Sequence, residues 1–300
     1  MNKISLLLMF GGESSEHDVS LMSVKNVYAA LDNEKYDVSL CFVDRSGKWW
    51  LVDTVDGRHQ GCPQLFPVMG QGEFLVVPGQ KVLKIDVVWA AMHGENAEDG
   101  NLQGVFAMMH IPLIGCDTIA SVICWDKLIT KQLLEQASIA TSPYEICYQN
   151  NPPSFATIEQ KFGLPFFVKP TRAGSSVGVS RVSQNDQYDE ALQLAFRYSD
   201  PILLEKTIEG RELEVAVLGN PPLHKESPVG EIKPGEEFYS YEDKYDANSK
   251  AVVLPRADVD EGLADRIRTV AHKAYEVLGC RGYARVDFLV SHDGEIYVNE

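Results

Sequence analysis

The chain lacks any clustering of cysteine. Its six, Cys41, Cys62, Cys116, Cys124, Cys147 and Cys280, are scattered and no two form a CxxC pair. That spacing excludes a zinc ribbon and a disulfide framework, and it reads as buried free thiols in a reducing cytoplasm. Long apolar runs are also missing. The apolar start at residues 4–10 is too short to span a bilayer, stops at Gly11-Gly12 and has no cleavage pattern behind it, so it reads as a first strand. Basic residues are few: 27 Lys and Arg against 43 Asp and Glu leave a formal charge of −16, which speaks against a nucleic-acid backbone as partner. No repeat or low-complexity tract occurs, and 23 glycines with 15 prolines do not suggest disorder. What remains is a 300-residue composition, 45% hydrophobic and 23% charged, with material for two or three compact units.

Residues 4–10 form a continuous apolar run of the kind that suits a parallel strand covered on both faces. A helical spacing over 19–31 and a strand over 38–43 complete a βαβ unit. A strand over 82–91, a helix over 102–109 and a short strand over 112–115 extend it to a doubly wound α/β domain. Residues 49–78 show no usable period, and no element is assigned there. Further on, helices are expected over 127–137, 155–162, 188–197 and 262–278. Strands are expected over 165–169, 179–182, 202–205, 212–218, 284–290 and 295–299, the last two as a hairpin about Asp293-Gly294.

Six segments carry chemistry. In Lys169-Pro-Thr-Arg-Ala-Gly-Ser-Ser-Val-Gly178 a lysine ends a buried strand, and Gly174, Ser175, Ser176 and Gly178 follow it. Small residues let backbone N–H groups approach a phosphate, though a plain turn with an exposed lysine has the same pattern. Between Glu205 and Glu212 a strand end and a short connection can line an adenine and a ribose, or form a solvated charged loop. Arg285 and Asp287 share one strand face, and the hairpin returns Glu300 beside Asp287. Converging acids suit Mg2+, whereas Arg285 with one acid would be an ion pair. The polar loop from His93 to Gly104 follows a strand at the end where α/β proteins bind ligands, and Asp99 there can equally cap the next helix. In Gly11–Asp18, Glu16 can grip an ammonium group, and Ser14 or Ser15 can serve as a cap. The aromatic and charged segment 237–245 is either a lid that carries Lys244 inward or a packed surface loop. The histidines His59, His110, His224, His272 and His292 fit no pattern and read as structural or exposed.

Taken in order, these six segments resemble the D-alanine–D-alanine ligases of the ATP-grasp superfamily over nearly the whole chain. The resemblance implies a fold of an N-terminal doubly wound, substrate-binding α/β domain over 1–117 followed by a two-part ATP-grasp domain. The two parts are a central subdomain over 118–204 and a catalytic subdomain, incomplete here, over 205–300. It implies ATP-dependent joining of two D-alanines through an acyl phosphate for peptidoglycan synthesis and cell shape. The cofactor would be Mg2+, for which Mn2+ can stand in, and the setting a cytoplasmic homodimer with neither membrane nor nucleic acid as partner. By the same resemblance Lys127, Lys169, Ser175, Ser176 and Lys244 bind ATP phosphates, Glu205, Lys206 and Ile208 line the adenine, and Glu212 takes the ribose. Asp287 and Glu300 hold the metal. Glu16 binds the first D-alanine's ammonium and His93 lies near its carboxylate. Ser175 and Tyr245 link with Glu16 to close the lid, and Arg285 stabilises the oxyanion. A D-serine acceptor is the alternative enzyme, and an impaired nucleotide-binding fragment the alternative class.

Two departures stand out. Ala97 replaces a usual glycine, which would strain a left-handed backbone by ~1–2 kcal/mol if one is required there. The family also continues past Glu300, with a further Asn for the metal site and residues for the second amino acid. The expectation is therefore a C-terminally truncated member that binds ATP weakly and turns over poorly.

Overall fold

The structure, a computed structural model, describes residues 3–235 and 249–300, and it divides into two compact units, Met1–Val122 and Ile123–Glu300. In the first unit, β1 (Ile4–Gly11) lies between two parallel neighbours, β2 (Tyr36–Val43) and β7 (Val87–Ala90). Its unbroken apolar run serves two cores. Leu7 and Met9 pack with Cys41, Val88 and Phe106 of α2 (Asn101–Met109), while Leu8 and Phe10 pack with Leu40 and Val24 of α1 (His17–Ala30).

The sheet has seven strands, but only these three are parallel. From β2 an antiparallel meander runs through β3 (Trp49–Val52), β4 (Gln64–Val68), β5 (Glu73–Val77) and β6 (Lys81–Lys84) to the far edge. The stretch 49–78, left without elements by its sequence pattern, thus holds three strands. They are four or five residues long, too short to show a period. Pro67, which has no N–H to give, falls on the part of β4 that β3 does not reach. The strand expected over 82–91 is two strands at opposite edges of the sheet, divided where Ser5 N–H donates to the Asp86 carboxylate (2.8 Å) and Asp86 N–H to the Ser5 carbonyl (2.9 Å). Residues 112–115 form only an isolated bridge, Leu113 to Val88.

The division between units falls within α3 (Thr118–Trp125), a helix the pattern did not announce. In the second unit α4 (Lys127–Gln136) is N-capped by Asp126, whose carboxylate accepts from Leu128 and Ile129 N–H. A four-stranded antiparallel sheet combines β8 (Tyr144–Cys147), β9 (Phe166–Pro170), β10 (Ser180–Val182) and β11 (Ile202–Lys206) in the order β10-β9-β11-β8. One face of it packs on α5 (Phe155–Phe162) and α6 (Tyr188–Ala195).

A second antiparallel sheet is built on β12 (Gly210–Leu218). Beside it lie β13 (Lys225–Glu226), β14 (Gly230–Lys233), β15 (Val252–Leu254), β16 (Tyr283–Ser291) and β17 (Ile296–Val298). Alternation decides its two faces. Leu213, Val215, Val217, Val286, Phe288 and Val290 are buried on the side of α7 (Glu261–Val277), so Glu212, Glu214, Arg285 and Asp287 occupy the other face. Among the described residues no helix is long and apolar enough to cross a membrane.

Candidate active site

In the first unit the loops after β1 and β7 meet. Ser14 Oγ donates to the His93 carbonyl (2.7 Å) and accepts from Glu16 N–H (3.2 Å), so Ser14 ties the two loops rather than capping α1. Gly94 has φ +75°, and a Cβ there would come within 2.8 Å of the Glu16 carboxylate and 3.1 Å of Ser14, so only glycine admits this approach. The His93 ring bonds Ser23 Oγ through Nε2 (3.0 Å) and lies 3.7 Å from Glu98 through Nδ1. Asp99 accepts from Asn96 and Asn101 N–H, which is the helix-start role its position also allowed. Ala97 is buried without a positive φ. The left-handed residue is Asn96 (φ 66°), a type that tolerates it, so the strain anticipated at Ala97 does not arise.

In the second unit Lys127 opens α4 against the small-residue loop. Its N–H donates to the Thr171 carbonyl (2.9 Å) and its Nζ to the Ala173 carbonyl (2.8 Å) and the Glu300 carboxylate (2.9 Å). Ser175 and Ser176 have φ 52° and 60°, successive left-handed residues of the sort that point N–H groups into a concavity. Gly178, φ +73°, passes so close to Tyr198 that a Cβ would sit 2.6 Å from its ring.

Lys169, on β9, donates to Glu205 on the neighbouring β11 (2.8 Å) and to Asn299 Oδ1 (3.4 Å). Glu205 is 2% exposed, and both its oxygens are engaged: Oε1 lies 3.2 Å from Lys131 Nζ, and Oε2 accepts from Lys169 and Ser142 (2.9 Å). Burial pushes this carboxyl up, but Lys131, Lys169 and the hydrogen bonds together outweigh it and hold the group at about 2. Its backbone rather than its carboxylate is therefore what an adenine can meet. Lys206 is exposed, Ile208 and Glu212 are half-buried, and Glu212 stands on the chemistry-bearing face of β12.

Arg285 and Asp287 form a two-bond pair, Nε to Oδ1 at 2.6 Å and Nη2 to Oδ2 at 2.7 Å, with Glu214 3.4 Å from Arg285 Nε. Glu214 is the register partner of Asp287 across β12 and β16. Asp287 first, then Glu214 and Glu300, raise the guanidinium's affinity for its proton. Burial, partly opposed by Arg285, pushes the Glu214 carboxyl up. The ion pair considered for Arg285 is thus formed, and Glu300 does return beside Asp287: Asp287 N–H donates to the Glu300 carbonyl (2.8 Å) and Asn299 N–H to the Asp287 carbonyl (2.8 Å). Among the described residues no three His, Cys, Asp or Glu side chains are grouped as a metal cage. Asp287 and Glu300 are neighbours through their backbones, their carboxylates are balanced by Arg285 and Lys127, and hard oxygen donors of this kind suit a divalent ion shared with phosphate oxygens.

Lys244 and Tyr245 lie outside the described residues, as does the lid segment 237–245. Glu16 belongs to the first unit and Ser175 to the second. Residues the sequence reading passed over are Lys131, Ser142 and Glu214. Lys131 follows Lys127 by four and so shares a helix face with it, a signal that was present. Glu214 follows Glu212 by two and so shares its strand face, while Ser142 carries no signal that spacing reveals.

Two antiparallel sheets whose charged residues meet through Lys127–Glu300 and Lys169–Asn299, in a chain that begins with an α/β unit, define the ATP-grasp class of fold. The chain belongs to the D-alanine–D-alanine ligase family: the family model described as "D-ala D-ala ligase N-terminus" matches residues 5–116 and that described as "D-ala D-ala ligase C-terminus" matches 133–300. It is 39% identical to D-alanine–D-alanine ligase A of Escherichia coli strain K12, over 100% of this chain and 86% of that protein, and 37% identical to D-alanine–D-alanine ligase of Proteus mirabilis with the same coverage. Among solved structures, VanG D-Ala:D-Ser ligase from Enterococcus faecalis superposes with TM-score 0.89 at 31% identity, covering 100% of this chain and 90% of that one. The D-alanine–D-alanine ligase from Coxiella burnetii gives 0.88 at 28% identity, covering 100% and 84%.

Proposed function

We propose that this chain joins two D-alanines to D-alanyl-D-alanine at the expense of ATP, for peptidoglycan synthesis, and that the residues assembled above do the work. The observation that carries the reading is the meeting of Lys127, Lys169 and the 171–178 loop with Asn299, Glu300 and Asp287 at one place in the second unit.

A carboxylate is a poor acyl donor because oxide would have to leave. In the first step its oxygen attacks the γ-phosphorus and ADP departs, leaving an acyl phosphate. In the second, the amine nitrogen of the other D-alanine attacks the carbonyl carbon, the C–O bond to phosphate breaks and the amine gives up a proton. Lys127 and Lys169 balance phosphate charge while Ser175 and Ser176 offer donors from the left-handed turn. Lys206 and Ile208, with the backbone of Glu205, line the adenine, and Glu212 takes the ribose hydroxyls. Mg2+, held by Asp287 and Glu300, would neutralise phosphate charge when bound. Arg285, released from Asp287, is the donor for the developing oxyanion. Glu16 takes the ammonium of the first D-alanine and His93 lies by its carboxylate; Lys244, Tyr245 and Ser175 keep the lid roles that the family resemblance gives them. The finer division at 117/118 and 204/205, a homodimeric state and a cytoplasmic setting belong to the same reading and are supported by family membership.

Phosphate release and dipeptide formation with ATP, Mg2+ and D-alanine, D-serine or D-lactate test it. D-Alanine is expected to drive release with matching dipeptide. Preference for D-serine as acceptor would shift the reading to a D-alanine–D-serine ligase, the activity for which the Enterococcus faecalis neighbour is named. No release with any acceptor would overturn it.

A further inference from the structure

The second unit contains a buried lysine that the reaction as described does not use. Lys131 is 3% exposed, yet its ammonium lies 3.2 Å from Glu205, donates to Ser142 Oγ (2.8 Å) and to the Ser142 carbonyl (3.3 Å), and sits over the Tyr144 ring at 5.4 Å. Lys169, 15% exposed, approaches the same carboxylate from the open side. The order from the interior outward is therefore cation, anion, cation. Lys127, by contrast, is matched one to one by Glu300.

A second ammonium in this interior is costly to desolvate. Lys169 and Ser142 serve the outer oxygen of Glu205, and Lys131 serves the inner one. Without Lys131, Lys169 and Glu205 would be a closed neutral pair. With it, the three groups carry one net positive charge, and the lysine nearer the surface is where that charge is available. Burial and the nearby Lys169 lower the proton affinity of Lys131 while Glu205 raises it. The 3.2 Å contact with the Glu205 carboxylate is the interaction that opposes the cost of burying the ammonium.

We infer that Lys131 is a positioning residue for nucleotide binding: it neutralises Glu205 from the inside, so that the charge of Lys169 is left for the nucleotide's phosphates. The inference rests on the reading of Lys169 as a phosphate ligand. It predicts an effect on phosphate recognition and none on the nucleoside, a split that loss of packing would not produce.

The test is the affinity of the whole chain for ADP and for adenosine, measured by titration calorimetry. Lys131→Met is expected to weaken ADP roughly tenfold or more, the scale of one lost charge interaction near a surface, and to leave adenosine within about twofold. Adding Glu205→Gln to Lys131→Met removes the anion as well and is expected to restore most of the ADP affinity. Equal weakening of ADP and adenosine in Lys131→Met, or no weakening of ADP, would overturn the inference. Should Lys131→Met not fold, Glu205→Gln alone decides: a preference for ADP over adenosine at or above that of the unaltered chain supports the inference, and a lower one defeats it. Lys169→Met separates the underlying reading. If that variant binds ADP normally, the assignment of Lys169 to phosphate is what fails.

Discussion

Two charged clusters of the second unit are built to opposite plans. Around Glu205, two lysines surround one acid and nearly everything is sealed from water. Around Arg285, one cation meets Asp287 and Glu214, and its own side chain is 59% exposed. The first cluster has surplus positive charge in a rigid frame of strands and helix, which suits holding an anion that does not change during the reaction. The second has surplus acid and an arginine at the rim, which suits a cation-assisted site whose arginine must exchange partners. Burial sets how strongly each charge acts, and the ratio of signs sets what each cluster can receive.

The contrast is broken most severely at Arg285. Arg285→Met is expected to lower kcat by about 10²–10³, the scale of one oxyanion donor, with a smaller change in the KM for ATP; steady-state kinetics would read this, and a loss confined to KM would assign Arg285 to binding instead. A smaller effect is expected at Glu205. Its carboxyl titrates at about 2 in the folded chain against an ordinary 4.5, so its contribution to stability is complete above pH 4.5 and is lost as pH falls through about 2. That contribution is on the order of 3 kcal/mol. Urea unfolding at pH 7, 4.5 and 3 should show the acid decline flattened in Glu205→Gln; an unchanged decline would mean the buried cluster is not what acid disrupts. The smallest effect is reserved for a pair outside both clusters. Arg45 and Asp18 meet at 2.9 Å with both side chains largely exposed, and Arg45→Met should change stability by no more than about 1 kcal/mol. A larger loss there would blur the distinction between sealed and open charge.

Much of the site was legible because its residues lie at strand ends and strand faces, where alternation places side chains without knowledge of the rest of the chain. Arg285, Asp287 and the return of Glu300 follow from the hairpin about Asp293-Gly294. Other parts were not legible for physical reasons. Strands of four or five residues between 49 and 78 are stabilised by neighbours in the sheet and too short for a period to emerge. The break within 82–91 is made by hydrogen bonds of Ser5 with the Asp86 carboxylate and N–H, groups distant in sequence. Lys131 looks like any lysine on an amphipathic helix until Glu205 is set beneath it.

Local order of residues by itself determined the family, the main strands and helices, and which side chains share a face, because these depend on near neighbours and on periods of two and 3.6. Tertiary structure alone decided which edge of the sheet each half of residues 82–91 occupies, that Glu205 is spent between two lysines, and that Arg285 rests on Asp287 with Glu214 beside it. Those outcomes depend on distances between groups far apart in the chain and on how deeply each is buried, and charge interactions are governed by both.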